Sequence, residues 1–544
     1  MPHSSPQFCR RTALALCGFA FAIVSAGAQP IINANAIVNS ASYLAPGLPG
    51  SGIAQGSIFT ISGTGLGPDT GTAAPGVFPL PTTLAGTSVN ITANGEKSNA
   101  VILYTSALQI SAILPSTTPV GAAKVTVTFN DQTSAPITIQ VVAGAFGIFT
   151  FNQRGIGQAV VSDTAYRPNT LVHTFHPGDL AILWGTGLGP IKSSDAGAPP
   201  TGSIGSAQVY VGTTTATVQY HGRSGCCAGV DQIVFEVPSG VEGCYVPVGV
   251  RVGSVTSNIA TIAVSGAGET CSDSILGTDL ISKIASGKTV NFGYIRLEEG
   301  LGGDIAFGTF SQYNAQTAGL AQYGVSPGYC VSCQSGTLAC GAGLTDFSPG
   351  QVDAGPALTV DGFGRTVSVI NEGGGTYFAL LNASDGSRYL WGGLSYTVSG
   401  AGGSEIGSFS VAQKLNSTAA LIASPGSGQS VSLKSDLTVQ WSGGNQNQQN
   451  GYFTLGGISF ADSAQTQFVE FQCTAPLSAN QFTVPAWVLA TLPRSATTNN
   501  GTQVIPLGFI WIGEYDTPTT FQAKGLDRGV ITDIFYLPRN VLYQ

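Results

Sequence analysis

Charge is what this sequence most lacks. Only 9% of its 544 residues are Asp, Glu, Lys or Arg, against about 25% in an average soluble protein. Its 20 basic and 28 acidic side chains leave a net charge of −8, with no basic block. Phosphate backbones are held by clustered Lys and Arg, so nucleic acid is excluded as a partner. Histidine is scarce, with four residues in all. Beyond the N-terminal leader no apolar run reaches the ~20 residues of a membrane helix, so no span is expected in the mature chain. Leu537 to Gln544 show no hydrophobic tail or sorting motif.

What is present in quantity is glycine (74) and proline (29), alongside 43% apolar residues. The length suits roughly three to five domains of about 100–150 residues, each able to bury a core. Residues 1–28 read as a signal peptide. Arg10 and Arg11 precede an apolar run from Thr12 to Val24, and Ala26-Gly27-Ala28 supplies the small residues that predict cleavage between Ala28 and Gln29. The run is too short to span a bilayer, and Leu16 sits where a lipoprotein signal using Cys17 needs a small residue. The expected destination is secretion or the cell surface.

Eight cysteines remain after the leader: Cys226, Cys227, Cys244, Cys271, Cys330, Cys333, Cys340 and Cys473. An even number in an exported chain favours disulfides, here as two local sets of four. Cys330-x2-Cys333-x6-Cys340 begins like a zinc knuckle, but no His lies near it. Neighbouring residues rarely reach disulfide geometry, so one of Cys226 and Cys227 is expected to bond Cys244 and the other Cys271.

A repeat at an offset near 122 organises the first half. Gly56-Ser-Ile-Phe-Thr-Ile-Ser-Gly-Thr-Gly-Leu-Gly-Pro68 returns as Gly178-Asp-Leu-Ala-Ile-Leu-Trp-Gly-Thr-Gly-Leu-Gly-Pro190. Gln109-Ile110 with Pro115 is echoed by Gln232-Ile233 with Pro238, and Ser134 to Val141 by Ser257 to Val264. A repeat this long is a duplicated domain, because solenoid units run about 20–50 residues. Short Val/Ile/Thr-rich runs such as Ser88–Thr92, Val125–Phe129, Ile137–Val142 and Ile259–Val264 read as strands. Thr366–Ile370, Tyr377–Leu381, Leu437–Trp441, Phe468–Cys473 and Ile505–Ile512 continue the pattern, with short helices predicted at Thr278–Ala285 and Ala486–Leu492. The expected fold class is all-β, a tandem array of β-sandwiches, which the resemblance given below makes immunoglobulin-like. Sandwiches are expected at 30–145 and 146–270, and further β-rich domains at 275–425 and 426–544, the last boundary falling at the Ser/Gly/Pro stretch Ala423–Gln429. Trp441 and Cys473 loosely resemble the buried Trp and Cys of immunoglobulin-like cores.

The Gly-Thr-Gly-Leu-Gly-Pro strand ends, the Gln-Ile…Pro segments and the closing Ser257 to Val264 resemble IPT/TIG immunoglobulin-like domains. Asn39-Ser-Ala-Ser-Tyr43, Gly147-Ile-Phe149, Pro177-Gly-Asp179 and Asp231-Gln-Ile233 resemble, more closely, an uncharacterised duplicated domain of exported acidobacterial proteins, over residues 33–270. The resemblance implies a fold and brings no catalytic residues. Asp353-Ala-Gly-Pro356, Tyr396-Thr-Val-Ser-Gly400, Trp441-Ser-Gly-Gly444 and Cys473-Thr-Ala-Pro476 are more weakly similar to segments that accompany that domain.

Chemistry-bearing motifs are few. Gly63-x-Gly65-x-Gly67 and Gly185-x-Gly187-x-Gly189 precede a Pro and more loop, not the helix of a dinucleotide site, and read as turns. Ser286-Gly-Lys-Thr289 lacks the first glycine of a P-loop. There is no G-x-S-x-G elbow. His173, His176 and His221 offer no placed third metal ligand and read as exposed loop residues; neither metal nor cofactor is expected. Glu298-Glu299, Asp304 and Glu514-Tyr-Asp516 read as solvated loop charges. Tyr389, Trp391, Trp511 and Tyr515, in Gly-flanked segments, are candidate faces for stacking on sugar rings. The expected function is an exported, non-catalytic binding or adhesion protein of the cell surface or extracellular matrix, whose partner is polysaccharide or a surface protein. The alternative is a secreted carbohydrate-active hydrolase using two carboxylates of the C-terminal half.

Overall fold

The computed structural model describes residues 29–271, 276–300, 303–314, 325–334, 350–383, 385–416, 420–444, 451–499, 501, 503–515 and 518–544. Residues 1–28, read above as a signal peptide, lie outside them, as do Cys340 and Asp516.

Alternation of apolar and polar residues builds the first sandwich. Thr87–Ala93 buries every second side chain, the signature of a strand with one face on a core. It pairs with Gly121–Phe129, whose other neighbour is Ile137–Val142. The facing sheet runs in the order Ile31–Asn39, Ile58–Thr64, Gln109–Ile113, Val101–Thr105, Thr72–Ala73. Phe59, Ile61, Val89, Ile91, Ile110, Val125 and Val127 interdigitate between the layers.

The second copy repeats this plan in the same register. Ile61 pairs with Ile110 in the first sandwich, and their counterparts Leu183 and Ile233 pair in the second. Its two layers are joined by Thr214–Arg223, which pairs first with Gln208–Val211 and then with Asp231–Glu236. Gly187 shows why glycine recurs at the strand end: its φ is +111°, and a Cβ there would stand 2.2 Å from the Ala145 carbonyl oxygen. The architecture is a tandem of immunoglobulin-like β-sandwiches.

The C-terminal half differs from the expected pair of separate domains. A sixteen-stranded sheet runs across the 425/426 boundary. At its centre Val290–Glu299 pairs antiparallel with Ile305–Tyr313 and parallel with Arg528–Tyr536, from opposite sides of that boundary. Two cores nevertheless form. One holds Leu297, Phe310, Tyr377, Tyr389, Tyr396 and Ile531; the other holds Trp441, Phe453, Phe471, Cys473, Trp487 and Tyr543. Both cores draw residues from either side of 423–429, Ile531 in the first and Cys330 and Ile422 in the second, and strand pairing between distant segments leaves no mark in local composition. Helices lie at Gly277–Ala285 and Ala486–Leu489; the first buries Leu280, Ile281 and Ile284 against Phe292, Tyr294 and Val530.

The cysteines correct the expected pairing. Cys226 bonds Cys227, and Cys244 bonds Cys271. Cys244 and Cys271 lie together in the core beneath the first helix, with Cα atoms 5.5 Å apart, so neither is left for the hairpin that carries the adjacent pair. Cys330 bonds Cys473, its register partner on the neighbouring strand, and Cys333 is also disulfide-bonded. Trp441 and Cys473 share a core, as expected, but this disulfide links neighbours within one sheet rather than two layers.

Candidate functional site

The four aromatic candidates do not form one platform. Tyr389 is fully buried and Tyr515 nearly so, the latter stacked on Tyr452 at 5.0 Å between ring centroids. Trp511 is half-buried, lying over Gly456 and 6.2 Å from the Tyr536 ring. Only Trp391 presents a large face, 46% exposed. Its neighbour is Phe363, 63% exposed, with ring centroids 6.2 Å apart.

The local structure holds these two rings outward. Phe363 sits at the tip of the hairpin Ala357–Gly362/Arg365–Gly373 with φ +50°, a left-handed backbone that costs a non-glycine residue roughly 1–2 kcal/mol. Tyr389 braces that hairpin from below, its hydroxyl donating to the Val360 and Arg365 carbonyls at 2.9 and 2.8 Å. Burial pushes the Tyr389 phenol up to about 12, so it remains a donor. The Tyr389 carbonyl in turn accepts from the Tyr396 hydroxyl at 2.8 Å, and that hydroxyl receives the Trp391 amide at 3.1 Å.

Beneath Trp391 lies Asp304. Its carboxylate accepts the Tyr389 and Leu390 amides at 2.6 and 2.8 Å and pairs with Arg388 at 2.9 Å. Arg388 also reaches Glu299 at 3.1 Å and lies 5.8 Å from the Trp391 ring centroid. Glu298, Glu299, Asp304 and Glu514 are therefore buried, contrary to the reading as solvated charges. Arg388 and Arg296, from separate segments, bring the counter-charges that let Asp304, Glu299 and Glu298 turn inward.

A second polar group occupies the other face of the same strand. Arg296 pairs with Glu298 at 3.0 Å and donates to the Tyr515 hydroxyl at 3.2 Å, while Tyr536 donates to Glu298 at 2.6 Å. Glu470 lies within reach of Glu298's charge; burial first, then that charge, raise its carboxyl to about 8. On the opposite face burial raises Glu299 to about 7 against the lowering pull of Arg388.

The histidines are half-buried rather than exposed. His173 meets Asp163 at 3.3 Å, His176 meets Asp179 at 3.3 Å, and His221 lies on a strand with Nδ1 3.1 Å from the Ile204 carbonyl oxygen. Phe363 was missed as a candidate, although its setting between Gly362 and Gly364 was visible. Asp304 and Arg388 are 84 residues apart, and nothing local announces their union.

No family model matches the chain, and no curated protein matches it. Among solved structures, domains 5–6 of the S-layer protein SbsC align at 12% identity over 43% of this chain and 98% of that one, with a TM-score of 0.16. The chicken CNTN1 FN1–FN3 domains align at 11% identity over 67% and 96%, with a TM-score of 0.15. The four N-terminal Ig domains of Dscam1 isoform 8.4 align at 8% over 90% and 96%, with a TM-score of 0.11. Likeness at these scores carries nothing about function. Among the described residues no helix is long and apolar enough to cross a membrane, and no group of His, Cys, Asp and Glu is arranged to hold a metal.

Proposed function

We propose that this chain is an exported, non-catalytic binding or adhesion protein of the cell surface or extracellular matrix, carrying an IPT/TIG-like pair, with polysaccharide as its target. One observation carries the reading: Phe363 and Trp391 stand side by side and exposed, on segments braced from below by Tyr389, Tyr396 and Asp304. Ring faces bury apolar area against the C–H faces of sugars without charge, which suits a chain so poor in it. A left-handed backbone at a bulky aromatic residue is the kind of cost that persists where the side chain has a task. The test is retention of the full chain on insoluble glycans and cell-wall fractions. Retention that falls in Trp391→Ala and Phe363→Ala supports the reading. No retention on any glycan overturns it and leaves protein–protein adhesion or a structural role.

A second reading, a secreted carbohydrate-active hydrolase, is favoured by Glu470. Burial and the charge of Glu298 raise its carboxyl, and a raised carboxyl within the field of a second carboxylate is what a general acid and its partner require. Release of reducing ends from a soluble polysaccharide, abolished by Glu470→Gln, would establish it in place of the first.

A further inference from the structure

Among the described residues the Cys226–Cys227 bond stands apart from the other disulfides in two respects. Both of its cysteines are exposed at the tip of the hairpin between Thr214–Arg223 and Asp231–Glu236. Cys244, Cys271, Cys330, Cys333 and Cys473 are all buried. Exchange requires a thiolate to reach sulfur, so access selects the bond that reacts. A link between neighbours also closes no long loop, so it lacks the chain-entropy effect by which other disulfides stabilise a fold. What it constrains is the hairpin tip.

That tip fastens the first sandwich to the second. The Gly229 carbonyl accepts the Thr186 hydroxyl at 2.6 Å, and the same hydroxyl oxygen accepts the Ile58 amide at 2.9 Å. Ala228 and Val230 pack against Ile58, Val101 and Ile113 of the first sandwich. A Cβ on Gly229 would stand 2.7 Å from the Ile58 side chain, so the contact is close and depends on the course of the tip.

We propose that Cys226–Cys227 is a thiol–disulfide exchange site for a dithiol reductant, and that opening it loosens the hairpin's hold on the first sandwich. The Ser224 hydroxyl, 2.9 Å from Cys226 Sγ, marks the leaving sulfur. The incoming thiolate bonds to Cys227 Sγ, the S–S bond breaks, and the Cys226 thiolate leaves as an acceptor for that hydroxyl before taking a proton from water. The reductant's second thiol then attacks the mixed disulfide and releases Cys227, which is protonated in turn. Two electrons pass to the protein, and the reductant ends as a disulfide. This inference is independent of the sugar-binding reading.

The test treats the full chain with dithiothreitol, quenches with iodoacetamide at intervals, and maps alkylation by peptide mass spectrometry. Cys226 and Cys227 are expected to label at least about tenfold faster than the buried cysteines; equal or slower labelling overturns the exchange site. Amide hydrogen exchange at residues 56–58 and 186–189 is expected to rise once this bond alone is reduced. No rise overturns the hairpin role. The double variant Cys226→Ser/Cys227→Ser, changed only at exposed positions, is expected to match the reduced chain and to show no further change with reductant. Wild-type-like protection in that variant counts against the same role.

Discussion

Arg223 and Asp231 face each other where the strands of one hairpin enter its tip, and their ion pair is almost wholly withdrawn from solvent, with side chains 1% and 0% exposed. Neither spends its remaining bonds locally. Arg223 donates to the carbonyls of Gly56 and Gly189 at 2.9 and 3.0 Å, and Asp231 accepts the Gly187 and Leu188 amides at 2.6 and 2.8 Å. One pair thus ties the first sandwich to the glycine turn of the second. In the first copy the residue before Gln109, where Asp231 precedes Gln232, is Leu108, 65% exposed. The duplication keeps the strand pairing and places the lock in one copy.

Removing one partner of this pair strands a buried charge. Asp231→Asn and Arg223→Met are each expected to lower unfolding free energy by about 3–5 kcal/mol. The double variant should lose much less than the sum, because the interaction is shared. Urea denaturation checks this, and strictly additive losses would contradict it.

Glu470 sets the sign of a pH effect. Its folded carboxyl titrates at about 8, against 4.5 for a free side chain. Between those values the folded chain keeps a proton that the unfolded chain has lost. The stabilisation is complete below the lower value and disappears as pH rises through the upper one. Stability should fall across this window by up to roughly 1.4 kcal/mol per pH unit. Glu299, raised to about 7, acts in the same direction over a narrower range. Glu470→Gln should flatten the dependence; denaturation at pH 5, 6.5 and 8 would expose an unchanged slope.

Trp391 and Phe363 are exposed, so truncating them should cost binding but not folding. Each alanine variant is expected to lower glycan retention by roughly tenfold, about the ~1.4 kcal/mol of one partly buried ring face, with an unchanged melting midpoint. Phe363→Gly should hold or raise that midpoint, since it removes the left-handed strain at φ +50°. A midpoint that falls by several degrees in Trp391→Ala would make the residue structural.

Asp304 has no exposed surface, yet Asp304→Ala should mimic the loss of Trp391. It removes the acceptor for two backbone amides and the partner of Arg388, and buried unsatisfied groups cost about 1–3 kcal/mol each. Reduced retention together with faster hydrogen exchange at residues 388–391 is the expected outcome. Lost stability with those amides still protected would show that Asp304 does not position the loop.

Several elements were legible because their cause is local. The Val- and Ile-bearing run Ser88–Thr92 announced a strand found at Thr87–Ala93, and the expected helix Thr278–Ala285 appears at Gly277–Ala285. The candidate site was only partly legible. Gly-flanked aromatics drew attention to Tyr389 and Trp391 alike, but burial turned one into a brace and left the other outside. Chain adjacency argued against a bond between Cys226 and Cys227, yet the fold places Cys244 and Cys271 together in a separate core and leaves the neighbours to each other.

By itself the sequence determined whatever rests on neighbouring residues and on repetition: strands from runs rich in Val, Ile and Thr, turns from glycine, and duplication from the shared Gly-Thr-Gly-Leu-Gly-Pro run. Only the tertiary structure decided what depends on segments meeting across long separations. Val290–Glu299 takes Arg528–Tyr536 as its parallel neighbour across more than two hundred residues of chain. Asp304 meets Arg388, and Arg223 reaches Gly56. Burial of charge requires its counter-charge in place, and that partner is set by how the sheets close, which no local pattern encodes.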